Sequence, residues 1–323
     1  MKKQLFVLGL AVAALASCTN EEVTDIADSN VIGFKAPFVG NATKAGLSED
    51  NQWGASKLPA QFFVYGNTDA STKVFENVRV YNSNSQWVYD ELKQWASNTY
   101  KFAAYSVTDA TGLPADKGTV AFDYDNHKLT ITDYISNDNY QQDLLLATSD
   151  EDLNPTNVPV PFTFKHALAM VKFTFQSSLG DENPITISNF KVSGMHTKGT
   201  VAIANTDKTP TWSAQAAETS AVDFTDDTWE EVKTTAPVAS DEFVVIPQNS
   251  TTVTVTFTSA VDGLTDKNLK ATITANWEAG KRYNYVATIT GTDMDVIEFA
   301  DPIVENWGAY NDPGTDTDLT PAQ

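Results

Sequence analysis

Cys18 is the single cysteine of a 323-residue chain, and its neighbours suit it to one reaction. Leu15-Ala16-Ser17 stand before it. Small residues ahead of a cysteine, at the end of an apolar run, form the bacterial lipobox. Its signal peptidase needs small side chains at Ala16 and Ser17, and the Cys18 sulfur is the nucleophile that takes a diacylglyceryl group. The apolar run is Leu5–Ala14, behind the basic start Met1-Lys2-Lys3. That run is too short to span a bilayer, which takes about 20 residues, and it matches the apolar part of a secretory signal. Each buried lipid CH₂ contributes about 0.8 kcal/mol, so a multiply acylated Cys18 anchors the chain without spanning the membrane. Residues 1–17 are read as the signal peptide.

Other candidates for chemistry give less. His127, His166 and His196 are far apart in the sequence, and no nucleophile elbow accompanies them. His166 is expected to be a hydrogen-bonded structural histidine, and His127 to follow a hairpin turn at Asp125-Asn126. Asp226-Asp227 and Glu230-Glu231 read as solvated loop acids rather than a glycosidase pair. Asn137-Asp138-Asn139 and Asp123–Asp125 bunch oxygen atoms without the spacing of a calcium loop, its glycine and its bidentate glutamate. One cysteine and three histidines leave little for zinc. Gly-rich phosphate loops are absent. The seven tryptophans, Trp53, Trp87, Trp95, Trp212, Trp229, Trp277 and Trp307, are expected in cores and hairpins; an exposed pair would be needed for a sugar platform. The expectation is no enzyme, no cofactor and no metal.

Charge narrows the partners. The chain carries 21 Lys+Arg against 42 Asp+Glu, a formal net charge of −21. Loss of residues 1–17 removes Lys2 and Lys3 and no acid. Nucleic acid is excluded, because phosphate binding needs clustered cations, and electrostatic docking on anionic lipid is disfavoured. A lone cysteine forms no intrachain disulfide. With 41% hydrophobic residues, a packed core is within reach.

The elements that would position these groups are strands. Val171, Phe173 and Phe175 alternate with polar residues, as do Val253, Val255 and Phe257, then Tyr283, Tyr285, Ala287 and Ile289, then Leu129 and Ile131. Period-two alternation marks strands with one buried face. Asp90–Trp95 makes at most one or two helical turns. Short strands at regular spacing predict sandwiches. Three prolines in 151–161 predict an extended linker, which sets domains at 45–155 and 156–307. Asp207–Lys233 reads as a long connection or an insertion, and 308–323 as a polar tail.

Taken in order, these pieces resemble the fimbrillin family, the pilins of Bacteroidetes type V fimbriae. The likeness lies in Ile32-Gly33-Phe34, Thr43-Lys44-Ala45, Phe62-Phe63-Val64-Tyr65-Gly66, Trp87-Val88-Tyr89 with Trp95, and Tyr100–Tyr105. It continues in Phe162–Ala169, Trp277–Tyr285 and Ile303–Trp307. Thr19-Asn20-Glu21-Glu22 resembles the surface-export signal of lipoproteins in that phylum. The resemblance implies two tandem transthyretin-like β-sandwich domains and export to the outer membrane, with its lipid held through Cys18. It also implies an arginine- or lysine-specific maturation protease, cutting here between Lys44 and Ala45, though arginine is the commoner residue before the cut.

Segment 18–44 would then leave with its first strand, expected at Val31–Phe38, and a neighbour's strand would fill the vacated groove. The donor stretch is Asp295–Trp307, with Ile297, Phe299, Ile303 and Trp307 as groove fillers; the opposing expectation makes it the last strand of its own domain. The partners implied are other subunits of a stalk or tip and an unspecified surface receptor. The rival reading is a monomeric, lipid-anchored surface lipoprotein that captures glycan or another ligand.

Overall fold

The computed structural model describes residues 30–35, 38–39, 60–68, 72–149, 152–216, 224–226, 228–261, 266–290 and 297–307. Among them there is no helix. In chain order the strands are β1 Phe38–Val39, β2 Gln61–Thr68, β3 Lys73–Ser83, β4 Gln86–Val88, β5 Tyr100–Ser106, β6 Thr119–Asp123 and β7 Lys128–Ile135. Next come β8 Leu145–Thr148, β9 Thr163–His166, β10 Ala169–Ser177, β11 Ile185–Ser193, β12 Lys198–Ala204, β13 Thr211–Ala216 and β14 Phe224–Thr225. The last are β15 Trp229–Val232, β16 Val238–Ala239, β17 Phe243–Val245, β18 Gln248–Val261, β19 Lys267–Trp277, β20 Lys281–Ile289 and β21 Ile303–Asn306.

Two sandwiches result, as expected for an all-β chain. The first stacks a seven-stranded sheet, β1-β9-β8-β5-β2-β3-β4, on a four-stranded sheet, β13-β12-β7-β6. The second stacks β16-β10-β20-β21, with β17 also on β10, against β14-β11-β18-β19, with β15 also on β11. Pairing is antiparallel except β1 with β9 and β10 with β20. The predicted alternation is what fills the cores: Val171, Phe173, Phe175, Val253, Val255, Phe257, Tyr283 and Tyr285 face the second core, and Leu129 and Ile131 the first.

The strand pairing does not follow a clean cut at 155/156. β9 joins β8, and β12 joins β7, because Val201 and Ile203 complete the core that Leu129 and Ile131 begin. The stretch Asp207–Lys233, expected as a connection or an insertion, holds β13, β14 and β15; β13 pairs with β12, and β14 and β15 both pair with β11. The sandwiches also share material. On β17, Phe243 and Val245 face the second core while Val244 faces the first. The Gln141 side chain from the first sandwich takes both backbone groups of Val244: it donates to the carbonyl (3.2 Å) and accepts from the N–H (2.7 Å).

A third core lies on the outer face of the seven-stranded sheet. It is why every residue of β2 is buried. Phe63 and Tyr65 point into the sandwich, and Phe62 and Val64 point out. A sheet buried on both faces needs apolar residues at consecutive positions, and QFFVYGNT supplies them.

Candidate assembly groove

The outer core is built from side chains that alternate outward along neighbouring strands: Phe62 and Val64 on β2, Phe75 on β3, Phe102 on β5 and Phe164 on β9. Tyr89, Trp95, Val160 and Phe162 on flanking loops raise its walls. Gly66 is needed where the strands crowd, since a Cβ there would stand 2.3 Å from Phe102 Cδ1. Its lid is the N-terminal segment. Ile32 is fully buried and Phe34 is 4% exposed. The Phe34 ring lies 5.3–6.1 Å from the rings of Phe62, Phe75, Tyr89, Phe102 and Phe162, edge-on to four of them and stacked on Phe162. Edge-to-face and stacked aromatic pairs at such spacings each contribute about 0.5–1.5 kcal/mol beyond area burial.

Backbone bonds hold the same segment between two loops. On one side Ile32 N–H donates to Lys93 O (2.8 Å), and Trp95 N–H donates to Asn30 O (2.7 Å). On the other Lys35 N–H donates to Val160 O (2.9 Å), and Val160 N–H to Gly33 O (2.8 Å). The Tyr89 hydroxyl donates to Ile32 O at 2.6 Å, and burial pushes that phenol above its usual pKa. Further along, Phe38 and Val39 pair in parallel with Thr163 and Phe164 at the sheet edge.

The expected single strand over Val31–Phe38 is thus broken. Val31 and Phe34 make isolated bridges to Gln94 and Val160, and a ladder begins at Phe38. Pro37, which has no N–H to give a ladder, falls between. Asp90–Trp95 forms no helical turn; bends carry Gln94 to its bridge with Val31. The Pro-rich stretch expected as a linker is one wall of the groove, with Val160 2% exposed. The cluster escaped sequence reading because its rings come from positions 34 to 164, and only Ile32-Gly33-Phe34 and Phe162-Thr163-Phe164 hinted at it locally.

Of the other predicted residues, Cys18, Lys44 and Ala45 lie outside the described residues, as do Trp53 and 308–323. The donor residues are seated in their own chain. Ile297 is 7% exposed in the second core and donates its N–H to Lys270 O. Phe299 bridges Ala287 and packs near Phe173. Ile303, 36% exposed, lies on β21, the edge strand paired with β20. Trp307 is buried and stacked 4.1 Å over His166, whose Nδ1 lies 2.8 Å from Asp143 Oδ2.

Some of the side chains weighed for chemistry have structural partners. Asp123 caps its turn by accepting from the Asn126 side-chain amide and from the N–H groups of Asn126 and Asp125; the Asn126 side chain first, then those N–H groups, hold its carboxyl below the usual range. Among the described residues, no group of three or more His, Cys, Asp or Glu is placed to hold a metal. Every described tryptophan is buried or half-buried.

The geometry therefore defines an all-β, two-sandwich protein whose first sheet is completed by an edge segment lying in an aromatic groove. A family model described as fimbrillin-like matches residues 43–307, and the chain belongs to that family. Its fold is shared by a fimbrial protein from Bacteroides vulgatus ATCC 8482 (16% identity, TM-score 0.57), over 86% of this chain and 99% of that one. It is shared too by a candidate cell adhesion protein from Bacteroides eggerthii DSM 20697 (14%, TM-score 0.52), over 86% and 98%. Among curated proteins none matches the chain.

Proposed function

We propose that this chain is a structural subunit, of stalk or tip, in a cell-surface fimbria that supports adhesion. It travels to the outer membrane as a lipoprotein acylated at Cys18. A protease with arginine or lysine specificity cuts between Lys44 and Ala45, and the N-terminal segment leaves with the lipid. The neighbouring subunit's C-terminal segment, containing Ile297, Phe299, Ile303 and Trp307, then fills the groove. The observation that carries this reading is the position of Ile32 and Phe34: they are deeply buried, yet their segment lies at the edge of the sheet and is N-terminal to the expected cut.

The physics follows from what removal would uncover. Phe62, Phe75, Phe102 and Phe162 would meet water, and the carbonyls of Lys93 and Val160 would lose their donors. An open apolar groove with unpaired backbone groups invites another strand, and ladder bonds plus alternate side chains give that strand affinity and fit. Such a head-to-tail contact need not close, so it propagates as a filament. Membership of the fimbrillin-like family supports this reading over catalysis. For the rival glycan-binding lipoprotein, no described tryptophan offers the exposed platform it calls for.

The test is to cut the purified chain at 44/45 and run it on an SDS gel without boiling. A heat-labile ladder is the expected result; a cut product that stays monomeric refutes strand exchange. Cys18→Ala should abolish lipid labelling and membrane retention, and unchanged labelling refutes the lipoprotein reading.

A further inference from the structure

Two stretches of this chain spell the same pattern. Residues 31–39 read VIGFKAPFV and residues 296–304 read VIEFADPIV, with five of nine positions identical. The match puts Ile32 with Ile297, Phe34 with Phe299, Phe38 with Ile303 and Val39 with Val304. Each run also meets its sheet at the same positions, although the lid pairs in parallel and the C-terminal run, at home, antiparallel. An isolated bridge falls at the phenylalanine, from Phe34 to Val160 and from Phe299 to Ala287. A short ladder then starts just after the proline, at Phe38 in β1 and at Ile303 in β21. Burial repeats as well: Ile32 and Ile297 are buried, while Lys35 and Ala300 are exposed.

We propose that the C-terminal run is a position-for-position counterpart of the groove's own lid and enters the next subunit in that register. Ile297 takes the seat of Ile32, and Phe299 enters the ring cage of Phe34. Ile303 and Val304 pair in parallel with Thr163 and Phe164, as Phe38 and Val39 do. This rests on the strand-exchange reading and adds to it the direction of the donor strand and the partner of each residue.

Two changes add bulk, Gly33 against Glu298 and Ala36 against Asp301; Ala36 lies outside the described residues, so the fit is read at Gly33. Gly33 is not in the left-handed region, and a Cβ there would meet Pro159 Cβ at 3.6 Å, an ordinary contact. Gly33 is only half-buried and Glu298 is exposed where it now sits, so the carboxylate has a way to water. The groove is also the better seat for the phenylalanine. Phe299 at home is partly buried beside Phe173, Phe175 and Tyr285 at 5.5–6.5 Å. Phe34 in the groove is 4% exposed among five rings. Greater burial of the same ring favours transfer.

Disulfide trapping reads the register. On a Cys18→Ala background no native thiol remains. A full chain carrying a site-specific protease sequence at 44/45 is given Thr163→Cys with Ile303→Cys, both exposed positions. Paired strand positions lie within the Cα separation a disulfide needs, about 4.4–6.8 Å, and positions two residues away do not. After the cut and mild oxidation, this pair should give a ladder that survives boiling and collapses with reductant. Thr163→Cys with Asp301→Cys or with Glu305→Cys should give at least tenfold less.

A heat-labile ladder that traps best at 301 or 305 overturns the register and leaves strand exchange standing. No ladder by any measure overturns both. Should the double variant fail to fold, a synthetic 296–306 peptide with cysteine at 303 is added to the cut Thr163→Cys chain. A disulfide adduct supports the register; its absence, where the parent chain polymerises, overturns it.

Discussion

Phe34→Ala tests whether the N-terminal segment is a separable lid. The substitution empties a cage of five rings around a side chain 4% exposed. Truncating a buried phenylalanine to alanine costs about 3–5 kcal/mol. A factor of ten corresponds to about 1.4 kcal/mol, so opening of the segment should become between about a hundredfold and a few thousandfold more frequent.

The reporters are the amides that the segment itself closes. These are Ile32 and Trp95 on one side, and Lys35 and Val160 on the other. Native-state hydrogen exchange separates their opening from global unfolding, because sub-global units open with their own free energies. The amides between β2 and β5, for example those of the Val64 and Ala104 pair, should keep most of their protection. Equal acceleration of both sets would mean that the segment opens only when the whole sandwich unfolds. A strand that cannot leave alone cannot be exchanged, and the reasoning would fail.

Gly66→Ala should destabilise by roughly 1–3 kcal/mol, as over-packing does, because its Cβ would lie 2.3 Å from a Phe102 ring carbon; an unchanged melting temperature would contradict the packing described. Arg282 and Glu242 form a largely buried ion pair, with side chains 9% and 18% exposed. Arg282→Ala should therefore cost up to about 3–5 kcal/mol in denaturant titration, while Arg282→Met with Glu242→Leu recovers most of it. In base the fold should fail cooperatively. Burial raises the phenols of Tyr65, Tyr134 and Tyr140, and pushes Tyr124 to about 12. A raised acid pKa keeps the folded phenol neutral, so the unfolded chain holds fewer protons above about pH 10 and stability falls as pH rises. Phenolate absorbance at those residues should appear together with loss of structure; free titration near pH 10 in an intact fold would refute it.

Local pattern made the strands legible and distance hid the groove. Val171-Phe173-Phe175 and Val253-Val255-Phe257 declare a buried face by alternation alone, and the structure puts both in one core. β2 could not be read that way, because QFFVYGNT is buried on both faces. Its outward residues wait on a lid more than twenty-five positions upstream. The prolines at 155, 159 and 161 interrupt a ladder, which is why the stretch reads as a linker. Interrupting a ladder does not stop Val160 from making single bonds to Gly33 and Lys35. The chain's crossing between sandwiches is invisible for the same reason: nothing local to β12 says that its partner is β7.

On the proposed reading, order along the chain couples two events to one bond. Cys18 and the Ile32–Phe34 lid both lie before Lys44, so a single cut severs the lipid and the lid from the body together. The cut removes no contact by itself. Before it, the lid is tethered to its groove and rebinds at the high effective concentration of an attached segment. After it, the lid is a free peptide that is lost on dilution once it leaves. A donor strand on a neighbouring subunit then competes with a free peptide instead of a tethered one, so at equal affinity it displaces the lid wherever its concentration at the groove exceeds that of the released peptide. The aromatic cage can therefore hold the precursor closed and hold the polymer together with the same contacts, and the direction of exchange is set by covalent connection.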